Sequence, residues 1–262
     1  MSNDMMHVNG GLSGEGRSGC SGEAPFAFDP NERYGLAFSG GCDSSYLLAE
    51  MMRAGADVKA YMVKSAFQAA FEVEDARRVV EETGADFELI EADVFSRDEI
   101  CANPWDRCYL CKRYLFGTIF DYMARDGRTV LVDGTNASDD PARRPGFRAL
   151  DELGVRSPLR EAGLTKDDIR ERSRAIGLST ADKPNFSCFA TKVPEGTRIT
   201  REEIDRVACA LGLSVDAADG QSASASGEFG SSGNTANAKR ACAGGEPGSS
   251  EGGIANQRER SC

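Results

Sequence analysis

Histidine is nearly missing from this chain of 262 residues: the single one is His7. A Cys2His2 or histidine-rich zinc centre is therefore excluded as an ordinary possibility. Long hydrophobic runs are missing as well, so nothing reads as a membrane span, and the first residues lack the basic-then-apolar pattern of a signal peptide. These two absences lead us to expect a cytoplasmic protein with no membrane partner. Positive charge is outweighed, 31 Lys and Arg against 42 Asp and Glu, for a formal net charge of -11. That balance argues against a general nucleic-acid-binding surface, although a local basic cleft is compatible with it. Neither the GxxxxGK[ST] nor the GxGxxG phosphate loop occurs. In a reducing compartment the nine cysteines read as thiols, metal ligands or reactive groups rather than structural disulfides.

What is present is a different phosphate loop. Ser39-Gly40-Gly41-Cys42-Asp43-Ser44-Ser45 lies between the apolar run Tyr34-Gly35-Leu36-Ala37-Phe38 and the helical pattern that begins at Tyr46. A strand that ends in small and hydroxyl residues and then opens a helix aims backbone N–H groups and the helix dipole at one point, where a phosphate is favoured. Gly40 and Gly41 let the backbone approach an anion; Ser39, Ser44 and Ser45 add hydroxyls; Asp43 is placed to reach a magnesium ion bridging phosphate oxygens. The SGGxDSS pattern resembles the PP-loop of the ATP pyrophosphatases, which cleave ATP between the α and β phosphates and activate a substrate by adenylation.

The two ends differ from the middle. Residues 1–30 are rich in Gly and Ser, and we expect a disordered leader; more than half of residues 214–262 are Gly, Ser or Ala, and we expect a disordered tail. The folded domain is then 31–213. Within it strand and helix patterns alternate: strands at 58–63, 87–90, 129–133 and 155–159, helices at 72–83, 109–125 and 165–176, the last with Thr165 as N-cap and Asp168 at N3. This alternation predicts an α/β fold, a doubly wound parallel sheet that binds ligands at the carboxyl ends of its strands. The loop at Ser39 lies at one such end and Asp133-Gly134-Thr135-Asn136 at another.

A second constellation is Cys108-Tyr109-Leu110-Cys111, with Arg107 and Lys112 beside it and the helix start favouring thiolates. Cys188 is a third candidate ligand, and three cysteines suit an iron–sulfur cluster with one open iron. A redox dithiol, a structural zinc site completed by another cysteine, and coincidental helix-start thiols are competing readings of the CxxC.

The PP-loop, Asp106-Arg107-Cys108-Tyr109-Leu110-Cys111-Lys112, Asp133-Gly134-Thr135-Asn136, Arg144-Pro145-Gly146, Val155 to Leu159 and Lys183-Pro184 through Cys188 follow one another as in the LarE family. The chain resembles these ATP-dependent sulfur transferases, the pyridinium-3,5-bisthiocarboxylic acid mononucleotide synthases, over roughly residues 33 to 213. The resemblance implies that ATP and Mg2+ adenylate a carboxylate of a small pyridinium mononucleotide, and that sulfur then displaces AMP to give a thiocarboxylate for a nickel-pincer nucleotide. It assigns Ser39, Gly40, Gly41, Asp43, Ser44, Ser45 and Arg144 to nucleotide or substrate binding, and Asp43 and Cys188 to catalysis. Cys108, Cys111 and Cys188 match the members that hold a [4Fe-4S] cluster; the alternative is a sacrificial sulfur from Cys188. A homo-oligomer or other cofactor-biosynthesis proteins are the implied partners.

Arg144 and Arg156 suit phosphate or carboxylate binding or, equally, structural ion pairs. Cys42 stands where the family usually has an aliphatic residue, and a small buried thiol filling that place is the expectation. Family members continue past the Ile199-Thr200-Arg201 helix into a region of strand and helix that carries anion- and metal-binding residues, where this sequence runs into Gly, Ser and Ala. The departure leaves open a shortened working form, a partner that supplies the region, or a compromised product. Rival functions are another PP-loop adenylating enzyme (an amide ligase or a tRNA-thiolating enzyme) and a non-catalytic nucleotide- or iron–sulfur-binding relative.

Overall fold

Four parallel strands carry the molecule. A computed structural model describes residues 26–141 and 145–216; the expected leader and tail fall almost entirely outside the described residues. The chain runs β1 (Arg33–Ala37), α1 (Cys42–Arg53), β2 (Asp57–Lys64), α2 (Ala70–Thr83), β3 (Asp86–Glu91), α3 (Asp98–Cys101), α4 (Arg107–Arg125), β4 (Val130–Asp133), α5 (Gly146–Glu152), α6 (Pro158–Glu161), α7 (Lys166–Ala175) and α8 (Arg201–Ala210). The sheet order is β3-β2-β1-β4, all parallel, with Leu36 opposite Ala60 on one side and Val132 on the other. The order reverses between β1 and β4, so the crevice at their carboxyl ends is the topological switch point at which such sheets bind ligands. The PP-loop leaves β1 there, and Asp133 to Asn136 leave β4 beside it.

Alternation along each strand fills both faces. Tyr34, Leu36, Ala60, Met62 and Val132 face α1 and α7, whereas Tyr61, Val63, Ile90 and Leu131 face Ile119 and Met123 of α4. Leu36, Leu47 and Leu48 are completely buried, each contributing about 2 kcal/mol by the area it removes from water. A third cluster sits beyond the carboxyl edge of the sheet and is built from Phe67, Val94, Ile100, Phe189, Ile199 and Ile204, with Cys111 and Cys188 packed against it.

Local chemistry accounts for the element ends. Thr165 accepts from the Asp168 N–H while the Asp168 carboxylate accepts from Thr165, the reciprocal cap expected for α7. The anticipated strand at 155–159 is reduced to one bridge, Val132 to Arg156, because Pro158 starts α6 with its fixed φ. The helix after the PP-loop begins earlier than its apolar pattern, at Cys42, so Asp43 and both following serines lie in its first turns. Likewise α4 starts at Arg107, placing Cys108 and Cys111 inside it. No helix among the described residues is long and apolar enough to cross a membrane.

Candidate functional site

The PP-loop is tight and internally bonded. Gly41 N–H donates to Ser39 Oγ at 3.3 Å, Ser44 Oγ lies 3.1 Å from Ser39 Oγ, and Ser45 N–H donates to Gly41 C=O at 3.0 Å. Ser45 Oγ is buried and makes no hydrogen bond. Gly40 has φ +65, and a Cβ there would stand 2.8 Å from Ala76 N of α2; Gly134 comes so close that a Cβ would meet Ser44 N at 2.7 Å. These two glycines let α2 and the β4 loop close on the phosphate loop from either side. The 12-residue α1 points its amino end into the space so formed.

Charged groups converge on the same point. Asp43 accepts from Lys166 Nζ at 2.8 and 2.9 Å and from Asn136 Nδ2 at 3.2 Å. Lys183 Nζ donates to Gly40 C=O at 3.0 Å and pairs with Asp75 at 2.8 Å. Asp133, buried at the end of β4, accepts from Thr135 Oγ1 at 2.6 Å and Ser157 Oγ at 2.7 Å, which fixes the loop carrying Asn136. Asn136 was singled out from sequence, but Lys166 and the role of Lys183 were not. Lys166 follows an N-cap in an acidic helix start, and nothing in that pattern says that its ammonium reaches across to α1.

Other predicted residues fall elsewhere. Cys42 Sγ faces away from the loop, 3.9 Å from Ser173 Oγ and 3.7 Å from Ala181 C=O, and burial pushes its thiol pKa up. It fills core space as expected. Arg156 turns from the site toward Glu32 and Glu161, at 3.6 and 3.7 Å, while its neighbour Ser157 faces Asp133. Arg144 lies outside the described residues.

The cysteine-bearing segments are tied together. Arg107, at the start of α4, donates to Ala190 C=O at 2.8 Å and to Asn103 Oδ1, and its other terminal nitrogen is 3.7 Å from Cys108 Sγ. Asn103 has φ 54, is 1% exposed, and donates to Pro194 C=O at 2.8 Å and Thr197 C=O at 3.1 Å. Cys188 is held from its own side: Phe189 N–H donates to Phe67 C=O at 2.8 Å, and Thr191 Oγ1 to Cys188 C=O at 2.7 Å. Three half-buried thiols on two cross-braced segments fit an iron–sulfur cluster in kind. Among the described residues, however, no group of three or more Cys, His, Asp or Glu side chains is gathered closely enough to hold a metal ion.

A parallel sheet with this strand order, whose SGGxDSS loop opens a helix at the switch point, defines a PP-loop α/β protein. No family model matches the chain. It is 34% identical over 182 residues to the uncharacterized protein slr1717 of Synechocystis (69% of this chain and 68% of that one). It is 32% identical over 181 residues to the pyridinium-3,5-bisthiocarboxylic acid mononucleotide synthase of Lactiplantibacillus plantarum (68% and 66%). A more distant relative is the tRNA-specific 2-thiouridylase MnmA of Thermotoga maritima, 23% identical over 210 residues (63% and 58%). The chain belongs to the family of the pyridinium-3,5-bisthiocarboxylic acid mononucleotide synthase, LarE. It spans about two thirds of the length of the two nearer relatives named here.

Proposed function

We propose that this protein is an ATP-dependent sulfur transferase that adenylates a carboxylate of pyridinium-3,5-biscarboxylic acid mononucleotide and converts it to a thiocarboxylate. The observation that carries the reading is the convergence of Asp43, Lys166, Asn136 and the α1 amino end on one crevice, with the Cys188 segment braced at the same edge of the sheet.

The chemistry follows from charge. A carboxylate is a poor electrophile, so it attacks the α phosphorus of ATP, forming an acyl adenylate and releasing pyrophosphate. The N–H groups at the start of α1 and the Ser39, Ser44 and Ser45 hydroxyls hold the phosphate chain. Lys166 faces the negative charge that grows on the leaving pyrophosphate. A magnesium ion, when bound, would be held at Asp43 and would neutralise phosphate oxygens. The acyl adenylate then accepts a sulfur nucleophile and expels AMP.

Two sulfur routes share Cys188. In one, its thiolate attacks the acyl carbon to form a thioester; loss of the Cα proton and cleavage of Cβ–S then leave the thiocarboxylate on the substrate and dehydroalanine in the chain. In the other, a [4Fe-4S] cluster held by Cys108, Cys111 and Cys188 would supply an open iron that carries the transferred sulfide. The second is our preferred reading because three cysteines occur in the order of the cluster-bearing family members, and thiols are the donors such a cluster takes. A cytoplasmic setting is part of the proposal.

The test is anaerobic purification with iron and acid-labile sulfide analysis, beside pyrophosphate release with the pyridinium substrate and ATP. Substrate-dependent pyrophosphate together with thiocarboxylate product supports the assignment. Pyrophosphate released only with tRNA or with an amine acceptor, or none with the pyridinium substrate, overturns it. Absence of iron after reconstitution removes the cluster route and leaves Cys188 as donor.

A further inference from the structure

Lys183 is fixed at both its main chain and its side chain. Its N–H donates to Thr180 C=O at 3.1 Å, and Arg170 of α7 donates to its C=O at 2.9 Å. Its side chain is 14% exposed; the ammonium donates to Gly40 C=O at 3.0 Å, pairs with Asp75 of α2 at 2.8 Å and stands 5.5 Å from the centre of the Phe71 ring. Withdrawing an ammonium from water is costly unless it is partnered, and here one of the partners is a main-chain carbonyl of the phosphate loop. That carbonyl belongs to Gly40, whose φ is +65. In a planar trans peptide the C=O of one residue and the N–H of the next point in opposite directions. The ammonium on Gly40 C=O therefore turns Gly41 N–H away from Lys183, toward the exposed side of the loop, where it makes a long bond of 3.3 Å to Ser39 Oγ. With glycine on both sides this peptide is free to flip, and the flipped form would aim a carbonyl oxygen at any bound anion.

We propose that Lys183 is a positioning residue of the phosphate loop: by holding the Gly40 carbonyl it keeps the Gly41 N–H turned toward the phosphates of ATP. The inference rests on the reading of this loop as an ATP site, and not on the identity of the carboxylate that is adenylated. Asp75 completes the device, because its carboxylate holds the ammonium over the carbonyl. The latch also joins two parts of the site. Lys183 lies five residues before Cys188, and Phe186 between them packs edge-on against Phe71 of α2 at 5.2 Å and against Phe189 at 5.8 Å. Ala76 of the same helix is the neighbour that a Cβ at Gly40 would strike. The amino half of α2 thus backs both the phosphate loop and the segment that carries Cys188, and Lys183 is the hydrogen bond between the two.

Calorimetric titration of the full chain with ATP and magnesium, and separately with adenosine, tests this. Lys183→Met keeps an apolar stem beside Phe71 and removes the donor; ATP affinity falls by at least about tenfold, the scale of one hydrogen bond to a charged group, while the affinity for adenosine, which has no phosphate, is unchanged. Asp75→Asn separates positioning from direct attraction. Removing a negative charge would by itself tighten the binding of an anion, so a lysine that acted on phosphate through its charge would bind ATP better in this variant. Loss of the latch weakens ATP binding instead. Unchanged ATP affinity in Lys183→Met, an equal loss for ATP and adenosine as a disturbed fold gives, or tighter ATP binding in Asp75→Asn overturns the proposal. A wild type that binds ATP yet releases no pyrophosphate with the pyridinium substrate removes the substrate reading alone.

Discussion

Lys166 Nζ rests on both oxygens of the Asp43 carboxylate, at 2.8 and 2.9 Å, joining the first turn of α7 to the first turn of α1 across the mouth of the phosphate loop. Without ATP, each group neutralises the other. Under the proposed function, a bound nucleotide would call Asp43 to a cation and Lys166 to phosphate, and the ion pair would open so that each half takes a new partner of opposite sign.

Lys166→Met therefore leaves Asp43 with only Asn136 and removes a positive group from the crevice. We expect substrate-dependent pyrophosphate release to fall by about a hundredfold, the usual scale for one transition-state donor. Thermal stability changes little, because the pair is partly solvated. Unchanged turnover in a pyrophosphate assay would show that Lys166 is only a structural tie.

Cys188→Ser separates the two half-reactions. Adenylation depends on the PP-loop and continues, so pyrophosphate is still released and the acyl adenylate accumulates, whereas thiocarboxylate and the AMP that sulfur would expel disappear. In the wild type, intact-protein mass spectrometry after turnover reads the sulfur source: loss of one H2S from the peptide containing Cys188 marks the sacrificial route, and an unchanged mass with repeated turnovers marks cluster-borne sulfide.

Asn103 holds a left-handed backbone conformation and satisfies carbonyls of the 193–197 loop with its amide. Asn103→Ala strips those partners and adds backbone strain; the expected loss is about 2–3 kcal/mol in urea unfolding. Asn103→Gly relieves the strain but not the lost hydrogen bonds, and falls between. A cost equal in both variants would place the whole effect on the side-chain amide.

Asp57 gives the pH dependence. Arg128 donates to its carboxylate and Arg33 pairs with it, and these contacts hold its pKa below the ordinary value in the folded state. A depressed carboxylate stabilises the fold above its unfolded pKa, about 3.9, and that contribution fades as pH falls through the folded value. Asp57→Asn should thus be destabilised near neutrality, and the gap from wild type should close in strongly acidic buffer. A gap of constant size across urea titrations at both pH values would contradict the linkage.

The glycine loop after the first strand, the parallel alternation and the caps of α7 were legible in the sequence because each is a local rule: a glycine that needs open conformational space, a period of two or nearly four, a threonine three residues before an aspartate. The same locality explains the misreadings. The 155–159 run has strand composition, and Pro158 ends it after one bridge; the apolar pattern of the first helix begins at Tyr46, yet its backbone turns helical from Cys42 because Gly41 leaves extended space there and the Ser45 N–H finds the Gly41 carbonyl.

Sequence alone thus determined most of the strand and helix segments, and that a Gly- and Ser-rich loop follows the first strand. Only the tertiary structure decided that Lys166, more than a hundred residues along the chain, neutralises Asp43, that Arg156 turns away while Ser157 turns in, and that Arg107 and Asn103 brace the Cys108 helix to the Cys188 segment. The physical reason is that a side chain's partner across the fold is set by sheet order and strand register, which depend on how whole faces bury together, and no short-range pattern carries that information.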